Sequence, residues 1–341
     1  MRILKALIGS ALAVVIALVV ISCGGSSPTP TSACSGITCG GTSGGGLAGI
    51  SGFYVSNNSG NSINIVDVGK QKIVGTINNV PTPQLMAFTP DGKSLFVTTY
   101  NSSGPVVVVN TATNSIAASV PVGSNDSGLA VTPDGTKAYV ANLNSGTISV
   151  ISTASNTVTA TITTGGNPTE IALMPDGAHE YVTDVHHNVV YVLQGTAGVI
   201  ATIPVGSQPV GIAASPDGST VYAANYSDGT VSVIRTSDNT VVNTIAVGPG
   251  NWSIAFTPDG SKAYVGSELS NNMSVIDCVS QSATSIAVGA GTSGLAVTQD
   301  GKYVYAASHS GVLIQIDTAT ETATTVASGL GEAVGVALPP K

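Results

Sequence analysis

Residues 129–166 read LAVTPDGTKAYVANLNSGTISVISTASNTVTATITTGG, and this stretch decides how the rest of the chain folds. Within it, LAVT, KAYVAN, TISVIS and TVTATI are short runs rich in Val, Ile, Thr and Tyr. Each run ends at Gly, Asn, Asp, Ser or Pro, which are the residues that favour turns. The stretch therefore predicts four antiparallel strands joined by tight turns.

The same unit recurs along the chain, and a Pro-Asp-Gly turn after its first strand marks each copy. The marker lies at residues 90–92, 133–135, 175–177, 216–218 and 258–260, and a sixth copy at 299–301 has Gln299 in place of proline. Successive copies are 43, 42, 41, 42 and 41 residues apart. Asp caps such a turn, and Gly takes the positive φ that other residues avoid.

The two ends of the repeat array complement each other. An aromatic residue opens the second strand of each unit, and Tyr54 opens such a strand with no marker before it. The sequence GVALPP near the C terminus supplies one extra first strand, at about 335–339. The chain thus forms seven sets of four strands if this last strand completes the N-terminal set. Such a closed radial array is a seven-bladed β-propeller, an all-β fold.

One alanine recurs at the same place in every first strand. The copies are Ala87, Ala130, Ala172, Ala213, Ala255, Ala296 and Ala337. Innermost strands of a propeller converge on the axis, where a methyl group fits and a larger side chain would overpack. The alanine therefore supports a propeller independently of the repeat spacing.

The repeat resembles the YVTN family of β-propeller repeats. The similarity lies in IA-x-x-PDG-x-x-x-YVAN, followed by SG-T-x-SVI-x-T and a Val/Ile/Thr-rich fourth strand, and it spans about residues 52–340. The resemblance implies the fold far more specifically than a function. Similar propellers occur in cell-surface proteins, in subunits of periplasmic redox enzymes and in lactonase-like enzymes.

The N-terminal residues predict export. Arg2 and Lys5 precede an almost wholly apolar run, so residues 1–22 are interpreted as a secretory signal. The sequence VISC resembles a bacterial lipobox, which implies that Cys23 is lipidated, with an outer-membrane location favoured by Gly24. A plain signal peptide or a membrane anchor is the alternative. Residues 23–51 predict a flexible Gly/Ser/Thr-rich tether, and residues 52–341 the propeller.

Composition and charge restrict the partners. Only 8% of the residues are charged, and without Arg2 and Lys5 the chain keeps 10 − 2 = 8 basic and 18 acidic residues, a net charge of −10. This balance excludes nucleic acid, whose phosphates need basic patches. Membrane attachment is expected only through Cys23, and the propeller is expected to be a monomer. Cys34 and Cys39 allow a small disulfide in the tether, which the sequence leaves open.

Two sets of loops are expected to form a rim around the central channel, where propellers commonly bind ligands. One set comprises the approach loops, which lead into the innermost strands. They bring Gln84, Ser127, Glu170, Gly211, Ser253, Gly294 and Gly335 near the channel mouth. Glu170 stands out because the other blades have Leu85 or a small residue there. It is a candidate base or cation ligand, with a solvated rim glutamate as the alternative.

The second set comprises the loops between strands two and three, which carry most of the remaining polar candidates. Asp184 and His186 are expected to share a face in the same blade as Glu170. These three form the candidate catalytic group. The candidate partner-contacting residues of the rim are Trp252, Tyr226, His187, Glu268 and His309. Trp252 is interpreted either as an exposed anchor or as the cover over a blade end.

No cofactor or metal is predicted. Zinc or copper needs several converging ligands, and adjacent residues such as His186 and His187 point to opposite sides of an extended chain. Asp228 or His309 are conceivable further ligands, but no spacing rule selects them. The sequence contains no Walker loop or C-x-x-C-H haem site.

Three functions compete on these observations. The favoured hypothesis is a non-catalytic, envelope-anchored binding or scaffold module whose rim contacts a protein or glycan. One alternative is a lactonase-like hydrolase that uses Glu170, Asp184 and His186. The other is a propeller subunit that docks a periplasmic redox partner. The hydrolase rests on analogy of architecture, which does not by itself establish activity.

Overall fold

A computed structural model describes residues 52–340, which form 28 strands and one short 3₁₀ turn, Gly195–Ala197. The predicted signal peptide, the tether and Cys23 lie outside the described residues. The strands are β1 (Phe53–Asn57), β2 (Ser62–Asp67), β3 (Lys72–Asn78), β4 (Met86–Phe88), β5 (Ser94–Val97), β6 (Pro105–Asn110), β7 (Ser115–Pro121), β8 (Asp126–Val131), β9 (Lys137–Asn142), β10 (Thr147–Ser152), β11 (Thr157–Thr163), β12 (Pro168–Leu173), β13 (Glu180–Asp184) and β14 (Val189–Leu193). They continue as β15 (Val199–Pro204), β16 (Pro209–Ala214), β17 (Thr220–Asn225), β18 (Thr230–Arg235), β19 (Thr240–Ala246), β20 (Asn251–Phe256), β21 (Lys262–Ser267), β22 (Asn272–Asp277), β23 (Ser282–Ala287), β24 (Leu295–Val297), β25 (Tyr303–Ser308), β26 (Val312–Asp317), β27 (Ala323–Ala327) and β28 (Ala333–Ala337).

The strands form seven antiparallel sheets of four, which confirms the predicted seven-bladed β-propeller. Blade 1 has the order β28-β1-β2-β3, so the last strand of the chain is its innermost strand. Blades 2 to 7 take four consecutive strands each, from β4–β7 through β24–β27. No helix within residues 52–340 is long and apolar enough to cross a membrane.

The C-terminal strand closes the ring as the sequence predicts. Tyr54 of β1 lies opposite Ala337 of β28, and Val55 lies opposite Val336. The Ser56 hydroxyl accepts a hydrogen bond from the Gly335 amide at 2.7 Å. The two ends of the propeller are thus joined by a strand ladder, which removes the open edges between first and last blade.

The strand register gives a second explanation for the recurrent alanine. In each blade it lies opposite the aromatic residue of the second strand, as Ala172 lies opposite Tyr181 and Ala130 opposite Tyr139. Residues that are opposite each other in neighbouring strands share one face of the sheet. A methyl group there leaves room for the ring, which packs into the space between blades.

The hydrophobic core lies between the blades. Seven apolar clusters occur in the described chain, one at each interface of neighbouring blades. Tyrosine hydroxyls add polar links across some interfaces: Tyr181 donates to Asn239 Oδ1 of the next blade at 2.7 Å. Each blade therefore buries both faces against its neighbours, and the loops at the two ends stay free for function.

The marker turns behave as their sequence predicts. In blade 3, Asp134 accepts hydrogen bonds from the Thr132 hydroxyl at 2.6 Å and from the Thr136 amide at 3.0 Å. Gly135 has a φ of 70°. The turn aspartates are thus structural, and they lie on the face of the propeller opposite the rim.

Candidate functional site

The innermost strands of all seven blades line a cavity on the propeller axis. The cavity has a volume of about 140 Å³ and is partly open to solvent. Its wall mixes polar and apolar groups, and the apolar side chains are Leu85, Met86, Leu129, Ile254, Leu295 and Val336, with Val210 and Trp252 beside them. Hydroxyl and amide groups of Gln84, Ser127, Thr169 and Ser293 complete it. Glu170 is the one titratable side chain among the described residues that line the cavity.

Most of the positions predicted near the channel mouth do line this cavity. Gln84, Ser127, Glu170, Ser253, Gly294 and Gly335 are among its lining residues. Gly211 is the exception, because it faces the backbone of the neighbouring strand. A Cβ on Gly211 would lie 2.7 Å from the Trp252 carbonyl oxygen.

Glycines on the innermost strands allow neighbouring blades to approach at this level. A Cβ on Gly128 would lie 2.6 Å from Glu170 Cα, and a Cβ on Gly294 would lie 2.8 Å from Gly335 Cα. Such distances leave no room for a side chain without movement of backbone. Two residues before the recurrent alanine, blades 1, 3, 5 and 7 have glycine, whereas blades 2, 4 and 6 have Leu85, Glu170 and Ser253. Glu170 thus follows a glycine that makes space for it.

The Glu170 carboxyl bridges two blades. It lies on β12, and its Oε2 accepts a hydrogen bond from the Ile212 amide of β16 at 3.2 Å. Ile212 is its single hydrogen-bond donor among the described residues. Burial in the cavity outweighs this bond and raises the pKa of Glu170 to about 8. Glu170 is partly exposed at the cavity, and a pKa of about 8 favours the protonated carboxyl at neutral pH.

Asp184 lies in the same blade but in a contrasting environment. It is fully buried at the end of β13, and its carboxylate accepts backbone hydrogen bonds from Asn167 at 2.8 Å, His186 at 3.0 Å and His187 at 2.9 Å. The Tyr191 hydroxyl and the His187 ring Nδ1 each add a contact at 3.0 Å. Burial opposes ionisation, yet the hydrogen bonds hold the pKa of Asp184 below its ordinary value. The carboxylate is saturated and fixes the loop.

The two adjacent histidines contact this loop network from its exposed side. His186 Nδ1 lies 2.8 Å from Asn167 Oδ1, and His187 Nδ1 contacts Asp184. Both histidines are exposed. Of the three candidate catalytic residues, only Glu170 lines the axial cavity; Asp184 and His186 lie in the loop network instead. Within residues 52–340, no group of three or more His, Cys, Asp or Glu side chains is arranged to hold a metal ion.

The rim aromatics are buried, which corrects the expectation of an exposed tryptophan anchor. Trp252 is only 8% exposed and Tyr226 only 3%. Their rings meet edge to face at 6.0 Å, and Trp252 also lines the axial cavity. The alternative interpretation of Trp252 as the cover over a blade end fits this burial. Aromatic pairs of this geometry contribute about 0.5–1.5 kcal/mol beyond area burial.

The remaining rim candidates form one polar cluster near the closure of the ring. His309 Nε2 lies 2.7 Å from Glu268 Oε1, and His309 Nδ1 lies 3.5 Å from Glu332 Oε1. The Glu268 side chain is 4% exposed and that of His309 is 32% exposed. These contacts tie the loops of blades 6 and 7 to the approach loop of blade 1. Glu268 and His309 are among the rim residues predicted from the sequence, and Glu332 is not.

Asp126 is a buried acid that the sequence analysis missed. It begins β8, is fully buried, and accepts the Thr99 amide at 2.7 Å through Oδ2. Its Oδ1 has no hydrogen-bond partner among the described residues. Burial raises the pKa of Asp126 to about 7. A signal was available, because the equivalent residues of blades 2, 4 and 5 are all proline: Pro83, Pro168 and Pro209.

The comparisons with known proteins agree with the fold and define the class as seven-bladed β-propellers. No protein-family model and no curated protein matches the chain. Among solved structures, a chain of Kuenenia stuttgartiensis hydrazine synthase is similar with a TM-score of 0.64 and 24% identity, over 69% of this chain and 76% of that one. A functionally unknown protein from Desulfotomaculum acetoxidans DSM 771 is similar with a TM-score of 0.73 and 19% identity, over 84% and 98% of the two chains. Both likenesses concern the fold alone, so the YVTN resemblance stays a prediction.

Proposed function

We propose that this propeller is a non-catalytic binding module of the cell envelope whose rim contacts a protein or glycan partner. Export and lipid anchoring at Cys23 belong to the same proposal, and they are supported by the apolar N-terminal run and the low content of charged residues. The partner is expected to be neither nucleic acid nor anionic lipid, because the chain is acidic.

The observation that carries the proposal is the network of backbone hydrogen bonds among the loops of the rim. Backbone hydrogen bonds tie the loops between strands two and three to neighbouring approach loops, as from Glu268 to Gly250 at 3.0 Å and from Tyr226 to Gln208 at 2.9 Å. The Gly250 amide in turn donates to the Tyr226 carbonyl at 3.0 Å. A surface that is ordered before binding loses little conformational entropy when a partner docks. The rim is thus suited to recognition.

The same contacts make the hydrolase the weaker alternative. A lactonase-like reaction would need Glu170, Asp184 and His186 to act on one substrate. The Asp184 carboxylate is occupied by five contacts with its own loop, the approach loop and Tyr191, while Glu170 faces the axial cavity. A general base needs a free acceptor within reach of the proton that it removes.

The proposal is tested by crosslinking the protein in its native cells and identifying the crosslinked species by mass spectrometry. Leu269 is the right position to perturb, because it lies in a rim loop and is 57% exposed. Leu269→Asp is expected to weaken partner binding at least about fivefold. Val279→Asp is the matched control, since Val279 is 90% exposed in a loop on the opposite face.

The outcomes separate the candidate partners. A stoichiometric crosslinked protein or glycan that is lost in Leu269→Asp and kept in Val279→Asp supports the rim as a docking surface. A periplasmic electron carrier as that partner would favour the redox-docking subunit. Equal crosslinking of both variants, or a protein that remains alone, would contradict the proposed function.

A further inference from the structure

The axial cavity has the size of a small organic molecule. Its volume is about 140 Å³. An apolar cavity of about 150 Å³ accommodates benzene, so a ligand of roughly six to eight non-hydrogen atoms fits here. The cavity is partly open to solvent, which gives such a ligand a path from the rim. Size alone therefore selects a small ligand rather than a folded partner.

The charge of the cavity wall indicates whether a ligand would be positively or negatively charged. Glu170 is the one titratable side chain among the described residues that line the cavity, and no cationic side chain is among them. Asp126, the buried acid at the start of β8, is not a lining residue. Its Oε2 already accepts the Ile212 amide at 3.2 Å, which fixes the carboxyl across two blades. No described residue hydrogen-bonds to its Oε1. That oxygen is left for a donor that comes from outside, and an anion would find no counter-charge.

The rest of the wall selects an organic cation over a metal ion. A bound metal needs several N, O or S ligands, and within residues 52–340 no group of three or more acidic, His or Cys side chains could provide them. Leu85, Leu129 and Ile254 instead offer apolar surface. Trp252 adds an aromatic side chain, and aromatic rings attract ammonium groups as well as apolar bodies.

We propose that the axial cavity binds a small organic ammonium ion, with the ammonium group paired to Glu170 and its apolar body against the cavity wall. The ammonium group belongs either to a free small amine or to a lysine side chain of a partner protein. In both cases an alkylammonium group leaves water and pairs with one carboxylate, and its carbon atoms contact the apolar side chains of the wall. The argument for the site does not use the rim partner proposed above, although a lysine side chain would come from a partner docked at the rim.

Binding is coupled to proton release. Burial raises the pKa of Glu170 to about 8, so the carboxyl of the free protein is mostly protonated at neutral pH. The ammonium pairs with the ionised form, and its binding therefore displaces the carboxyl proton to solvent. Apparent affinity is expected to rise by up to roughly tenfold per pH unit below pH 8 and to level off above it.

The experiment is calorimetric titration of the whole protein with benzylammonium at about pH 6, 7 and 8. Benzyl alcohol and benzoate serve as neutral and anionic probes of nearly the same size. The expected result is binding of benzylammonium alone, tighter at higher pH. Comparable binding of benzyl alcohol, or no binding of benzylammonium at millimolar concentration, would overturn the proposal. This part needs no variant and is therefore insensitive to folding defects.

Variants then locate the site. Glu170→Gln is expected to weaken benzylammonium binding roughly 10- to 100-fold, because a charge-assisted contact is lost. Glu180→Gln is the matched control, since Glu180 is a buried glutamate on β13 that accepts the Gly195 amide at 3.0 Å outside the cavity. Leu85→Phe should fill the cavity and reduce binding while Glu170 remains. Unchanged affinity in Glu170→Gln, or an equal loss in Glu180→Gln, would refute the site.

A second titration identifies the source of the ammonium group. Tighter binding of Nα-acetyl-lysine amide than of benzylammonium would assign the site to the lysine side chain of a partner. Tighter binding of benzylammonium would assign it to a free small amine. Failure of both titrations refutes the cavity site and leaves the rim proposal untouched.

Discussion

Glu170 and Asp184 are two carboxyl groups of one blade, and the protein treats them in opposite ways. The Asp184 carboxylate has five hydrogen-bonding contacts of 2.8–3.0 Å. These contacts hold its pKa below the ordinary value although the side chain is buried. Glu170 has one donor at 3.2 Å, and burial raises its pKa to about 8. The number of hydrogen-bond donors thus accounts for the opposite pKa shifts of these two carboxyls.

The comparison also separates structure from function. A saturated carboxylate such as Asp184 has nothing left to offer a ligand, and it stabilises a loop. A poorly satisfied carboxyl such as Glu170, beside a cavity, keeps an oxygen for a ligand. Carboxyl groups whose pKa is raised by burial cluster at functional sites, which supports the ligand site proposed in the axial cavity.

The largest effect on stability is expected from Asp184→Ala. The substitution leaves several buried donors around residue 184 without an acceptor, at a cost of about 3–5 kcal/mol in the free energy of unfolding. Urea unfolding followed by circular dichroism measures it. A loss below about 1 kcal/mol would mean that the carboxylate does not hold the loop.

Asp184→Asn sharpens the same test. Blade 3 has Asn142 at the equivalent position, where Oδ1 accepts the Gly123 amide at 3.0 Å and Nδ2 donates to Ser149 at 2.9 Å. In blade 4 the residue equivalent to Ser149 is Tyr191, which donates to Asp184 instead. Asp184→Asn should therefore remain destabilising, whereas Asp184→Asn combined with Tyr191→Ser should recover part of the loss.

The next effect is the pH dependence of stability that Glu170 causes. The unfolded chain releases this proton near pH 4.5 and the folded chain near pH 8, so the folded state holds more protons between them. Stability from Glu170 is thus fully present below pH 4.5 and is lost as pH rises through 8. Glu170→Gln should remove this loss, which is about 5 kcal/mol at most.

The control for that series is Asp126. Its pKa is raised to about 7, so wild-type stability should also fall between about pH 4 and pH 7 for this second reason. Glu170→Gln should reduce the slope of the curve from about pH 4.5 to 8, whereas Asp126→Asn should reduce it only from about pH 4 to 7, so the interval from pH 7 to 8 isolates Glu170. Parallel curves for wild-type protein and Glu170→Gln from pH 5 to 8 would contradict the raised pKa of Glu170.

The smallest effect is expected from His187→Ala. His187 contacts Asp184 through its ring at 3.0 Å, but its side chain is 55% exposed. Removing the ring leaves four of the five contacts to the carboxylate, including the backbone amide of residue 187. Thermal unfolding should show a loss of about 0.5–1 kcal/mol. A loss as large as that of Asp184→Ala would mean that the ring, rather than the backbone amides, holds the carboxylate.

The sequence predicts the fold because local and global signals agree. The Pro-Asp-Gly turns, the recurrent alanine and the incomplete first unit each lead to seven blades, and the register of β28 on β1 confirms them. Turn residues such as Gly135 need a specific backbone angle, so they report structure directly. The turn marker occurs six times and the alanine seven times, so the repeat is hard to misread.

The site was less accessible from sequence because it depends on distances between blades. Alignment of the repeats singled out Glu170 and placed it near the channel. It could not show that Asp184 turns its carboxylate into its own loop, or that Trp252 is buried against Tyr226. The only sequence signal for Asp126 is that the equivalent residues of three other blades are proline. Burial and hydrogen-bond saturation arise from tertiary contacts, which a repeat pattern does not encode.

The most direct test of the contrast is a carboxyl-detected NMR titration of the two side chains, with Glu170 assigned from the spectrum of Glu170→Gln. The expected result is a midpoint near pH 8 for Glu170, and an Asp184 that stays ionised down to a pH below its ordinary pKa. A Glu170 that titrates near pH 4.5 would contradict the account, because the axial cavity would then hold an ordinary solvated carboxylate.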